Sequence, residues 1–170
     1  MLGLRNEQRE MIEDYLMEHR ISFYRLAYTY THNEQDAQDI VQNAMIKALK
    51  HEREIKNLTG LKSWCYRIVV NESLDFLRKS KRQLISEEEL EDNESIYLEK
   101  GFNLHDDLYE AIDLLSEDVQ TIIKLRYFED MDLITISSIM DMNLNTVKAK
   151  LYRGLKALKL NLEKERMRDE

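Results

Sequence analysis

The chain has 170 residues, 43% hydrophobic and 34% charged, with a formal net charge of -8, no proline, four glycines and one cysteine, Cys65. One cysteine excludes internal disulfides and Cys-rich metal sites, and no apolar run approaches the roughly 18 residues needed to span a bilayer. With both strong helix breakers nearly absent and no signal-peptide core in MLGLRNEQRE, the expectation is an all-α, soluble intracellular protein of one domain or two small ones.

The first strongly patterned stretch, FYRLAYTYTHNEQDAQDIVQNAMIKALKH, predicts two helices. Asn33 is placed to cap the second, with Asp36 three residues on in a capping-box-like position. Ala37, Ile40, Val41, Ala44, Ile46 and Leu49 are expected on its inner face, and Asp36, Asp39, Gln42 and Asn43 on a polar outer strip. A polar loop, HEREIKNLTG, leads into LKSWCYRIVVNESLDFLRKSKR, where Leu61, Cys65, Ile68 and Phe76 sit at core spacing. Trp64, Arg67, Asn71 and Arg78 recur along another face, and the stretch ends in Arg78, Lys79, Lys81 and Arg82. An aromatic with Arg, Asn and a basic end suits stacking on splayed bases and holding a phosphate backbone; partial burial of Trp64 with cationic capping is the competing reading.

The acidity belongs to the middle. Residues 1–82 carry 14 basic and 12 acidic side chains, whereas residues 83–110 carry one basic and ten acidic. This middle stretch has little helical periodicity and reads as a linker, either a plain solvated spacer or a mimic of nucleic-acid charge lying over a basic groove.

Beyond it, LLSEDVQTIIKLRYF predicts a helix capped at Ser116, with Glu117 and Asp118 in its first turn and Val119, Ile122, Ile123, Leu125 and Tyr127 on its buried stripe. A short helix follows from near Asp132 through LITISSIM, then a turn, DMNL. The next helix, with Asn145 or Thr146 as its cap, repeats Val147, Leu151, Leu155 and Leu158 on one side and Lys148, Ala149, Tyr152, Arg153 and Lys156 on the other. No acid occurs between Asp141 and Glu163. Two helices joined by a tight turn, the second basic near its start, match a helix-turn-helix that places small Ala149 and long cationic side chains in a major groove. Gly154 is expected to permit close helix packing.

An enzyme is not indicated: His19, His32, His51 and His105 lack metal-ligand spacing and no glycine-rich phosphate loop exists. A stand-alone DNA-binding regulator would account for the second half alone, and a helical adaptor binding only protein would show no salt-dependent affinity for DNA.

Together, DAQDIVQNAMIKAL and LKSWCYRIVVNESLDFLRKSKR resemble region 2 of extracytoplasmic-function sigma factors, and LSEDVQTIIKLRYFEDMDLITISSIMDMNLNTVKAKLYRGLKAL resembles their region 4. The resemblance implies two small helical domains, 1–82 and 108–170, joined by an acidic linker at 83–107. It implies docking of RNA polymerase core (β′ clamp helices and β flap) with Asp36, Asp39, Gln42 and Asn43 on the region 2 contact. By the same resemblance, the -10 element of promoter DNA is read by Trp64, Arg67, Asn71, Arg78 and Lys79, with a flipped-base pocket in loop 51–60. The -35 element is read by Lys148, Ala149, Lys150, Tyr152, Arg153 and Lys156. An anti-sigma factor, in some cases membrane-anchored, is the implied regulator, and neither cofactor nor metal is implied. Departures are Asp141 at a common glycine position, Thr135 and Ser137 for the usual Glu and Ala, Asn43 for a frequent Glu, and Lys148 and Lys150 where Arg is common; lysine is the poorer bidentate reader of guanine.

Overall fold

The computed structural model describes residues 2–88 and 106–168, and all regular structure among them is helical. Four helices form the first bundle: α1 (Leu2–Glu18), α2 (Arg20–Thr31), α3 (Glu34–Lys50) and α4 (Leu61–Glu88), with 3₁₀ turns at Glu52–Glu54 and Leu58–Gly60 before α4. The second comprises α5 (Asp106–Asp113), α6 (Glu117–Ile123) with a π-helical turn at Lys124–Phe128, α7 (Leu133–Met140) and α8 (Leu144–Arg168). The expected linker is entered by helix at both ends, since α4 continues to Glu88 and α5 begins at Asp106. The rest of that reading, residues 89–105, lies outside the described residues.

α2 ends where His32 turns left-handed (φ 52°), its N–H donating to the Tyr28 carbonyl. Asn33 then starts α3 as expected: its Oδ1 accepts the Asp36 N–H at 3.0 Å. The Asn33 N–H donates to Thr31 Oγ1. Glu34 and Asp36 in the first turn and Lys47 and Lys50 in the last complement the helix dipole. Its inner face is Ala37, Ile40, Val41, Ala44 and Ala48. Ile46, expected inside, is 51% exposed; the stripe drifts with the 3.6-residue period and takes Ala48 instead. The alanines let α3 lie close to α2 and α4. On α4, Leu61 and Cys65 are buried as expected, joined by Tyr66, Val69, Val70 and Leu74, while Ile68 and Phe76 pack at the edge.

In the second bundle, Ser116 occupies the cap position of α6 but makes no side-chain cap bond. Buried Gln120 joins the end of α5 to α6, its Nε2 donating to the carbonyls of Asp113 (2.9 Å) and Leu115 (2.8 Å). The π turn, closed by Glu129 N–H to Lys124 O, shifts the helical register, so Tyr127 points outward while Lys124 is enclosed. Gly154 is buried against α6: a Cβ there would sit 2.3 Å from Val119 Cγ1, which bears out the close-packing expectation. The apolar core runs without a break from Phe23 and Leu26 of the first bundle to Ile122, Leu125 and Ile136 of the second.

Candidate nucleic-acid and polymerase interfaces

α7 and α8 make the helix-turn-helix. Asp132 Oδ1 accepts the Thr135 N–H at 2.7 Å and starts α7. Asp141 ends it in the left-handed region (φ 52°), doing the work expected of glycine at that position. The cap of α8 is Asn143, whose Oδ1 accepts the Asn145 N–H at 2.8 Å, two residues before Asn145 and three before Thr146, the two expected caps; the Asx geometry needs its acceptor upstream of the first free N–H groups. Ile136, Ile139, Val147 and Leu151 are buried and clamp the two helices together. That seating turns Lys148, Ala149, Tyr152, Arg153 and Lys156 out to solvent along one face, with Tyr152 82% exposed. Lys150 is not brought to this face. It is turned toward α6, its Nζ 3.2 Å from Asp118 Oδ2.

On α3, Asp39, Gln42 and Asn43 are exposed and Asp36 half-buried, one continuous polar strip. Gln42 also borders a groove of about 280 Å³ with Ile21, Tyr24 and Val41. On α4, Asn71, Arg78 and Lys79 are exposed, and Trp64 and Arg67 half-buried. Trp64 packs on the core, which covers part of its side chain. The 51–60 segment is two short 3₁₀ turns pinned by buried Ile55, whose carbonyl accepts from Gln8 of α1 at 3.1 Å.

Residues 16–83 match the family described as Sigma-70 region 2, and residues 105–158 match Sigma-70, region 4. RNA polymerase sigma factor SigV of Bacillus subtilis is 42% identical over 153 residues, covering 88% of this chain and 90% of SigV. The chain belongs to the extracytoplasmic-function sigma factors of the sigma-70 family. The ECF RNA polymerase sigma factor SigW of the same organism is 27% identical, with 82% of each chain covered. Among solved structures, the sigma factor RpoE in complex with the anti-sigma factor NepR from Bartonella quintana shares the fold, with TM-score 0.66 at 22% identity over 89% of this chain and 98% of that one. CnrH in complex with the cytosolic domain of CnrY does so with TM-score 0.64 at 14% identity, over 91% and 88%. Region 2 therefore lies in the first bundle and region 4 in the second, and the function is promoter-specific transcription initiation with RNA polymerase.

The two regions of this sigma factor meet through polar groups, several of which pattern reading did not single out. Tyr30 of α2 and Thr121 of α6, both buried, share a 2.6 Å hydrogen bond. Lys124 is fully buried, its ammonium 3.7 Å from the centre of the Tyr30 ring. Its other polar neighbours are Gln120 Oε1 at 3.4 Å and Asp113 Oδ1 at 3.9 Å, and burial pushes it down to about 8. Glu129 accepts from Tyr66 Oη at 3.3 Å, but its Oε1 is buried without a partner, and desolvation raises its carboxyl above the ordinary value. Two of the expected -10 readers are part of this contact. Arg67 donates from Nε to the Ile139 carbonyl at 3.0 Å and from its terminal nitrogen to the Ser138 carbonyl, a cationic fork on the negative end of α7. Arg78 donates to Glu117 Oε2 at 2.6 Å, which holds that carboxyl below its ordinary value. Cys65 is a core residue: burial pushes its thiol up to about 12, away from any nucleophilic role.

Proposed function

We propose that this sigma factor reads a -35 element with the outward face of α8 and a -10 element with α4, and grips the polymerase through the polar strip of α3. The observation that carries the reading is the division of α8. Val147, Leu151 and Gly154 are buried, whereas Lys148, Ala149, Tyr152 and Arg153 project from the same two turns with no acid among them. In a major groove, Arg153 and Lys148 reach guanine edges or phosphates, Ala149 permits close approach and Tyr152 packs on a thymine methyl or sugar. Lys150, held by Asp118, supports the helix-turn-helix from behind.

On α4, Asn71 and Lys79 are free to meet single-stranded DNA, and Arg67 and Arg78 join them once separated from region 4. On α3, Asp39 and Asn43 stand clear of the core and present hydrogen-bonding edges to a basic polymerase helix pair. Four or five phosphate contacts from one helix support only about 10⁻⁴ to 10⁻⁶ M affinity at physiological salt. Tight promoter binding therefore follows only when polymerase holds both readers on one DNA. The protein acts in the cytoplasm, where core enzyme and promoters are, and has no catalytic role of its own. An anti-sigma factor controls it by binding across regions 2 and 4, the class of partner seen with the RpoE relative.

Run-off transcription with purified core enzyme on genomic fragments tests the reading. Added chain is expected to create discrete start sites. Asp39→Arg combined with Asn43→Arg is expected to abolish them while leaving the melting of region 4 unchanged. Start sites that survive this double change would overturn the α3 assignment.

A further inference from the structure

α1 holds down the segment that leads into α4. Its inward stripe is Gln8, Ile12 and Leu16, spaced one helical turn apart, and the last two are buried in the core. The first of these positions carries a half-buried amide in place of an apolar side chain. Its partner is the carbonyl of buried Ile55, to which Gln8 Nε2 donates at 3.1 Å. Ile55 lies between two 3₁₀ turns, where no helix or strand neighbour serves that carbonyl, so the amide supplies the bond that burial requires. One residue on, Arg9 divides its guanidinium between Glu13 of its own helix at 2.9 Å and Glu52 of the loop at 3.0 Å. Both Gln8 and Arg9 precede residue 16, where the region 2 match begins. The loop is thus fixed from inside, and its outer side is polar: Arg53, Lys56, Asn57 and Thr59 are exposed. Asn57 Oδ1 accepts the Thr59 N–H at 3.0 Å, which steadies that side chain and leaves its amide N–H groups for a partner. This polar row ends just ahead of Trp64, at the start of α4.

We propose that Gln8 and Arg9 are positioning residues for promoter recognition: α1 braces the 51–60 loop so that Lys56 and Asn57 meet the hydrogen-bonding edge of one base in the opened -10 strand. Groups on a loop keep a reading geometry only where a supporting shell locks them, and here that shell comes from another helix. The brace rests on the assignment of α4 to the -10 element. It goes further in making α1, which need not touch DNA, a determinant of which base is accepted.

The test uses the full chain bound to core polymerase and single-stranded oligonucleotides carrying the -10 element of a promoter mapped by run-off, with each base in turn replaced by an abasic residue. Fluorescence anisotropy gives the affinities. With the unaltered chain, one abasic position is expected to weaken binding about tenfold, the loss of one read base. Gln8→Glu keeps the length of the side chain and removes the donor; it is expected to cut that penalty to about twofold while the other positions keep their ratios. Gln8→Lys restores a donor and is expected to recover most of it. Arg9→Glu is expected to lower the penalty to a smaller degree, as suits an exposed pair, and Arg9→Glu with Glu52→Arg to restore it. That surface exchange decides the matter if the Gln8 variants fold poorly. A penalty undiminished in both Gln8→Glu and Arg9→Glu overturns the brace alone. An equal loss of affinity for every oligonucleotide also overturns it, since a merely structural α1 would give that result. If no abasic position weakens binding of the unaltered chain, the -10 assignment falls and the brace with it.

Discussion

Replacing Gly154 by alanine sets two effects of known size against each other. In a free helix, Gly→Ala stabilises by about 1 kcal/mol. Here the new Cβ would lie 2.3 Å from Val119 Cγ1 and 3.5 Å from Ile123 Cδ1. Carbon atoms in contact prefer roughly 3.5–4.0 Å, so α6 and α8 must separate or Val119 must leave its rotamer. Valine in a helix holds one strongly favoured χ1, and forcing a methyl into packed surroundings typically costs about 1–3 kcal/mol. The clash outweighs the propensity gain, and we expect a net loss of about 1 kcal/mol, or about 2–4 °C in Tm for a chain of this size. Urea unfolding followed by circular dichroism measures it, and adding Val119→Ala removes the clashing atom. The cycle should return a favourable coupling of about 1 kcal/mol or more. A Tm raised by Gly154→Ala alone would refute the reasoning, because propensity would then have won.

Asn143→Ala removes the Oδ1 that caps α8 and should lower the stability of region 4 by about 1 kcal/mol, whereas Asn145→Ala should change it little; thermal melts of the two compare directly. Tyr152→Ala should leave Tm unchanged, since the ring is 82% exposed, yet weaken binding of duplex promoter DNA by the polymerase–sigma complex about tenfold, read by fluorescence anisotropy. The pH dependence of domain separation follows from Lys124, about 8 in the closed form against an ordinary 10.5. Below 8 the closed form carries an enclosed ammonium at full cost, and as pH rises from 8 toward 10.5 that cost disappears. Between pH 7.5 and 9.5 closure should tighten by about 2 kcal/mol. Of the groups around it, His32 and Asp113 face each other at 3.3 Å. Lys124→Met should flatten the profile.

Helices with strong periodicity and local caps were legible in the sequence: α3 from Asn33, α7 from Asp132, and the two-sided α8 all depend on residues within one turn of each other. What escaped reading depends on contacts far apart in the chain or on register. Thr121 and Lys124 are interior because Tyr30, some ninety positions earlier, covers them. Tyr127 is outside because it lies within a π turn that breaks the 3.6-residue period. Arg67 and Arg78 could be placed on a basic face of α4, but their present partners belong to another part of the chain, and no local pattern encodes them. Ile46 and Ala48 exchanged places because an isolated stripe does not show how far it drifts over seventeen residues. Lys150 reads as one more lysine of α8, and only the packing of α6 shows that it looks inward toward Asp118.

The most direct measurement is run-off transcription from one mapped promoter, with core enzyme and the chain in its unaltered, Arg153→Ala and Arg67→Ala forms. Initiation confined to that promoter with the unaltered chain, and lost on changing either arginine despite normal binding to core, is the expected result. Selective initiation that survives both changes, or core enzyme that stays unselective with the unaltered chain, would contradict it.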